Sequence, residues 1–175
     1  ELATQKAIKL KPNYILSHNN LGIILIELGK LDKAEIHLRK AISIDPKYAD
    51  AYHNLGKLLF LKGRIKESKF HYQSAIKLRP NYIDSYSNLV EVLIYDEDYL
   101  NSINILKQGL VIDPNNSDLK FYLIKVLSFI SDWDKLEQRF QWIEDLKKQM
   151  NVIDPIFLMY LEDDPEKNLK RAINL

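Results

Sequence analysis

Cysteine is absent from the 175 residues. Disulfide frameworks and thiolate metal sites are therefore excluded, and a reducing compartment, the cytoplasm, is the expected location. Breakers are scarce: glycine (5) and proline (6) make up about 6% of the chain, roughly half of average usage. A β-sandwich or barrel needs turn chemistry about every 8–12 residues and could not be punctuated by so few. Long apolar runs are missing as well. Ile23–Ile26 and Leu58–Leu61 reach four residues, far short of the roughly 18 that a membrane span requires. Charge of one sign is not in excess, with Lys+Arg 25 against Asp+Glu 24, which argues against a dedicated nucleic-acid binder. No P-loop, dinucleotide fingerprint, nucleophile elbow or H-E-x-x-H occurs, so this segment is expected to be non-catalytic, without cofactor or metal. The four histidines show no metal-ligand spacing, and His37 and His71 are expected on the surface.

What is present is 46% hydrophobic and 28% charged sequence, enough to fold, ordered by a repeat. Pro12, Pro46, Pro80 and Pro114 are each separated by 34 residues. The same period carries Tyr14, Tyr48 and Tyr82; Leu21, Leu55, Leu89 and Leu123; Gly22 and Gly56; Gly29 and Gly63; and Ala7, Ala41, Ala75 and Gly109. One unit reads Tyr52-x₂-Leu55-Gly56-x₂-Leu59, Ser68-x₃-Tyr72, Ala75, Pro80. This pattern resembles the tetratricopeptide repeat signature. The resemblance implies an all-α fold, a right-handed superhelical solenoid of antiparallel helix pairs, from residue 1 to about 150.

With position 1 at Ile15, full repeats are expected at 15–48, 49–82 and 83–116. Residues 1–14 read as the tail of a preceding repeat and 117–150 as a degenerate repeat or cap. Residues 151–175 read as a junction leading into a further helix, with Asp164 as N-cap and Pro165 at its first position; the chain is expected to be a piece of a longer protein. Each unit should hold helices A and B of about 14 residues, since Pro blocks continuation of helix B. Gly29 and Gly63 are expected to supply the positive φ that ends helix A. Gly22 and Gly56 sit mid-helix, where Gly costs about 1 kcal/mol against Ala; a close approach of helix B at Ala41 or Ala75 is the expected reason.

On helix A, positions 4, 7, 8 and 11 form the core stripe at about 100° per residue. Positions 2, 6, 9 and 13 face away from it, and in the family they line the concave groove. Position 6 holds Asn20, Asn54 and Asn88; position 2 holds Asp50 and Asp84; position 9 includes Lys57. An amide offers one acceptor and two donors and so can pair with an extended peptide backbone without reading its side chains. The Asp row could select hydroxyl or basic side chains. Two structural alternatives stand beside these readings: the Asn residues stack helices, and the Asp residues favour the positive end of helix A.

These six residues form the candidate peptide-binding set, and the expected partner is a polypeptide, with neither nucleic acid nor membrane. Self-association through Trp133, Trp142 or Phe157 is a further expectation. The carboxylate clamp of chaperone-binding relatives, Lys at position 5 and Asn at 6 and 9, is missing: position 5 holds Asn19, His53 and Ser87. Asp45–Gly56, Arg79–Tyr82, Trp133–Glu137, Pro155–Leu158 and Asp163–Leu169 are similar to the repeat arm and junction of O-linked N-acetylglucosamine transferases and their bacterial relatives. That resemblance implies the docking arm of a longer glycosyltransferase-like protein, its Asn row holding the acceptor backbone. The alternative is a free-standing scaffold. Lys far outnumbers Arg, 20 to 5, which points to an AT-rich, bacterial genome.

Overall fold

A computed structural model describes residues 13–130, with Thr4, Leu10 and Lys11 before them. The expectations for Trp133, Trp142, the second half of the 117–150 unit and residues 151–175 lie outside the described residues. Seven helices and no strand occur among the described residues: α1 (Ile15–Glu27), α2 (Leu31–Ile44), α3 (Ala49–Leu61), α4 (Ile65–Leu78), α5 (Ile83–Tyr95), α6 (Tyr99–Ile112) and α7 (Ser117–Ile130). From α1 to α6 helices of 13 and 14 residues alternate, each about 20 Å long at 1.5 Å per residue. The chain is an all-α solenoid of paired helices.

The first three A helices stop the same way. After Glu27 the chain enters the left-handed region at Gly29 (φ 69°), and Lys30 N donates to Leu25 O at 2.8 Å while Gly29 N donates to Ile26 O at 2.9 Å. This is the Schellman arrangement, which satisfies carbonyls the helix end would leave open. Gly63 (φ 72°) repeats it, with Arg64 N on Leu59 O at 2.9 Å. In the third unit Glu97 takes the same role at φ 55°, a conformation that costs a residue with a Cβ about 1–2 kcal/mol.

The core stripe lies where expected, with Leu21, Leu25, Leu55, Leu59, Leu89, Leu93 and Leu123 all buried. Its clusters join neighbouring units: Leu21, Leu25 and Leu38 meet Leu55, Leu58 and Leu59, and Tyr72 meets Leu89, Val92 and Leu93. Each such leucine contributes about 1.5–3 kcal/mol by leaving water, and no helix pair could bury its apolar face alone. The mid-helix glycines do sit at close approaches, but the partner differs from the expected alanines. A Cβ on Gly22 would lie 2.6 Å from Leu38, and one on Gly56 would lie 3.0 Å from the Tyr72 ring. The larger side chain one turn before Ala41 or Ala75 fills the space, and Ser68 Oγ closes the Gly56 side by donating to the Gly56 carbonyl at 2.8 Å.

Successive A helices pack closely on one another, whereas successive B helices stand further apart and meet through side chains such as Arg39–Glu67. The A helices therefore line the shorter, inner side of the stack, and the spaces between B helices open outward.

Candidate functional site

The inner face is built from positions 2, 6, 9 and 13 of α1, α3 and α5, continued by positions 2, 6 and 9 of α7. Asn20, Lys57, Asp84, Glu91 and Asp118 are exposed there. Between them stand large apolar side chains turned to solvent: Leu16, Leu61 (55% exposed) and Tyr95 (69% exposed). Tyr95 is braced edge-on by Phe60, with ring centroids 5.6 Å apart.

The asparagine row is not uniform. Asn20 is exposed, while Asn54 and Asn88 are half-buried and each reaches sideways to the preceding A helix. Asn54 Nδ2 donates to Asn19 Oδ1 at 2.9 Å. Asn88 Nδ2 lies 3.5 Å from His53 Nε2, and its amide also meets the Tyr72 hydroxyl. Position 6 of one unit thus pairs with position 5 of the unit before. Each amide still keeps its Oδ1 acceptor capacity, so the row both stacks helices and edges the channel.

Asp50 is already engaged within the chain. Its carboxylate takes both arms of Arg79, at 2.9 and 2.7 Å, and accepts from the Tyr82 hydroxyl. Arg79 in turn lies over the Tyr82 ring, 4.6 Å from its centroid. The Arg79 hydrogen bonds hold Asp50 below the usual carboxylate range, and burial beside Asp50 pushes the Tyr82 phenol up. A bidentate pair of this kind fixes geometry, tying the start of α3 to the turn before α5. Asp84 shares its sequence position but stays exposed.

The histidines depart from the surface reading. His37 and His71 are half-buried, because position 23 turns into the space between helices. His18 and His53, on the A helices, are buried outright. The sequence signal for the inner pairing was available: a polar residue at position 5 followed 35 residues later by Asn at position 6, as in Asn19–Asn54 and His53–Asn88.

Sequence reading also missed the outer side. A groove of about 490 Å³ runs between α4 and α6, lined among others by Lys69, Phe70, Gln73, Asn104, Ile105 and Gln108. No group of three or more metal-ligating side chains comes together among the described residues. None of the described helices is long and apolar enough to cross a membrane.

Family models described as "TPR repeat" (residues 22–63) and "Tetratricopeptide repeat" (residues 3–36 and 49–82) match the sequence. No curated protein matches it by sequence. Among solved structures, MamA is similar with a TM-score of 0.68 at 20% identity, over 98% of this chain and 86% of that one. The Arabidopsis OM64 TPR domain gives 0.62 at 14% identity, over 66% of this chain and 95% of that one. The first TPR of Spaghetti (RPAP3), bound to the HSP90 peptide SRMEEVD, gives 0.63 at 19% identity, over 67% and 93%. Repeat period, helix pairing and matched sequence agree: residues 3–82 carry tetratricopeptide repeats, and the alternation of helices continues in register to residue 130.

Proposed function

We propose that the chain is a protein-interaction module whose inner channel takes an extended polypeptide. The observation that carries this reading is the solvent-facing row on the A helices, where Leu61 and Tyr95 offer apolar anchors between the polar residues Asn20, Lys57 and Asp84. Burying such anchors supplies affinity, while each amide contact adds only about 0.5–1.5 kcal/mol. Asn54 and Asn88 contribute their remaining acceptors, and Asp50 shapes the channel through Arg79. The likeness to a domain that carries a bound peptide supports the reading at the level of fold.

The finer reading is the docking arm of a longer glycosyltransferase-like protein, supported by the similarity of Asp45–Gly56 and of the segments after Trp133. The rival is a free-standing scaffold that assembles other proteins, with no enzyme attached.

The test uses a fluorescent peptide selected from a random library against the whole chain. Leu61→Ala together with Tyr95→Ala should weaken its binding about tenfold or more, equal to about 1.4 kcal/mol. Asn20→Ala should weaken it a few-fold, and Phe70→Ala on the outer side should leave it unchanged. Selected peptides that bind all these variants equally would overturn the channel assignment.

A further inference from the structure

All four histidines lie at residues 18, 37, 53 and 71, and every one of them is held inside helices α1–α4. The third pair, α5 and α6, contains none; its interior is Tyr86, Val90, Ile103, Leu106 and Leu110.

The contacts around His37, His53 and His71 work against full protonation of these rings. His18 Nδ1 and His37 Nδ1 are 3.0 Å apart, with ring centroids at 5.2 Å. One proton sits between those two nitrogens, so the two rings cannot both be cations without setting two N–H donors head to head. His53 is clamped on both sides. Its Nδ1 is 2.8 Å from Ser85 Oγ, its Nε2 faces the Asn88 amide nitrogen, a donor, and its ring stacks on Tyr82 at 4.7 Å. His71 lies between the Tyr52 and Phe70 rings, and its Nδ1 is buried with no hydrogen-bond partner among the described residues. An N–H created there would have nothing to donate to, which costs about 1–3 kcal/mol.

We infer that α1–α4, with their seam to α5, form a proton-sensitive section of the solenoid that opens on mild acidification while the α5–α6 pair stays packed. The charges around each histidine do not reverse this. His37 feels chiefly His18 across the α1–α2 interface. His53 has Asp84 from α5 and Asp50 from its own helix favouring the cation, opposed by Lys57 and by Arg79 at the end of α4, with the Tyr72 ring edge-on. His71 has Glu35 of α2 and Glu67 of α4 on one side of the balance, and Arg39 of α2 and Arg64 before α4 on the other. In all three, burial holds the imidazole below its ordinary value.

The sign follows. A histidine kept neutral in the fold but free to protonate when released makes no demand above about pH 6.5 and destabilises the fold progressively below it. At one pH unit below that value each such group multiplies the open population by up to about tenfold.

Hydrogen exchange on the whole chain at pH 7.5 and 5.5, corrected for intrinsic rates, tests the inference. Segments 31–44, 49–61 and 65–78 should lose protection tenfold or more, and 99–112 should change far less. His71→Phe keeps an aromatic ring between Tyr52 and Phe70 but cannot titrate, so it should recover about tenfold of the loss. Ring signals of His37, His53 and His71 should titrate together with the loss of protection. Ordinary titration with protection intact, or equal loss in 99–112, would overturn the inference.

Discussion

The seam between the first two repeats and the seam between the second and third use the same positions with opposite charges. At the first, Glu35 of α2 receives Lys62 at 2.7 Å, Arg64 at 2.7 Å and Arg39 at 2.8 Å, and Lys62 also reaches Asp32 at 2.8 Å. At the second, the residue equivalent to Glu35 is Lys69, and it meets Asp96, the equivalent of Lys62, at 2.6 Å. The inner edge differs too: an amide pair, Asn19–Asn54, joins the first seam, whereas His53 bridges Ser85 and Asn88 at the second. A solenoid of near-identical helix pairs could slip or exchange its units. Opposite wiring at equivalent places makes each unit fit its own neighbour better than a copy of itself.

The largest expected effect breaks the second seam from its core. Tyr72→Ala removes a side chain 1% exposed from contact with Leu89, Val92 and Leu93 and should cost about 3–5 kcal/mol, read by denaturant unfolding. The charge code comes next. Glu35→Lys should destabilise by about 2 kcal/mol, since the Glu35 side chain is only 14% exposed and faces three cations. Adding Lys62→Glu should return part of that loss in a double-mutant cycle. Reversing Lys69 at the better-solvated second seam should cost about 1 kcal/mol or less.

Acid sharpens the same contrast. The hydrogen bonds of Lys62, Arg39 and Arg64 outweigh the opposing effect of burial and bring the Glu35 carboxyl from 4.5 to about 2. Its contribution is thus complete above about pH 4.5 and is lost as the pH falls toward 2. Glu35→Gln should flatten that limb of the stability–pH curve. Smallest is the end of α5. Glu97→Gly should stabilise by about 1 kcal/mol by relieving the left-handed backbone, raising the thermal midpoint by a few degrees.

Much of the fold could be read from residue order alone. Leucines at 34-residue spacing mark the core because a helix has one face per 3.6 residues. Gly29 and Gly63 mark the ends of α1 and α3 because only glycine enters the left-handed region freely. Glu97 hides the equivalent end of α5, since nothing in a glutamate signals positive φ. The inner face was legible as a face but not as a set of contacts. A helical wheel separates Asn54 from the core stripe, yet it says nothing of Asn19 on the next helix. Asp50 and Arg79 lie 29 residues apart, so only the stacked arrangement reveals that the carboxylate is already occupied. The histidines went the same way: position 23 looks outward on an isolated helix B and inward once its neighbours are in place.

Inner channel and outer groove are the two faces a partner could choose, and their occupancy can be compared within one experiment. Amide and side-chain NMR shifts of the whole chain, followed during titration with a selected peptide, should move at Asn20, Lys57, Leu61 and Tyr95 and remain still at Phe70 and Asn104. Shifts confined to Phe70, Asn104 and their groove would contradict the account.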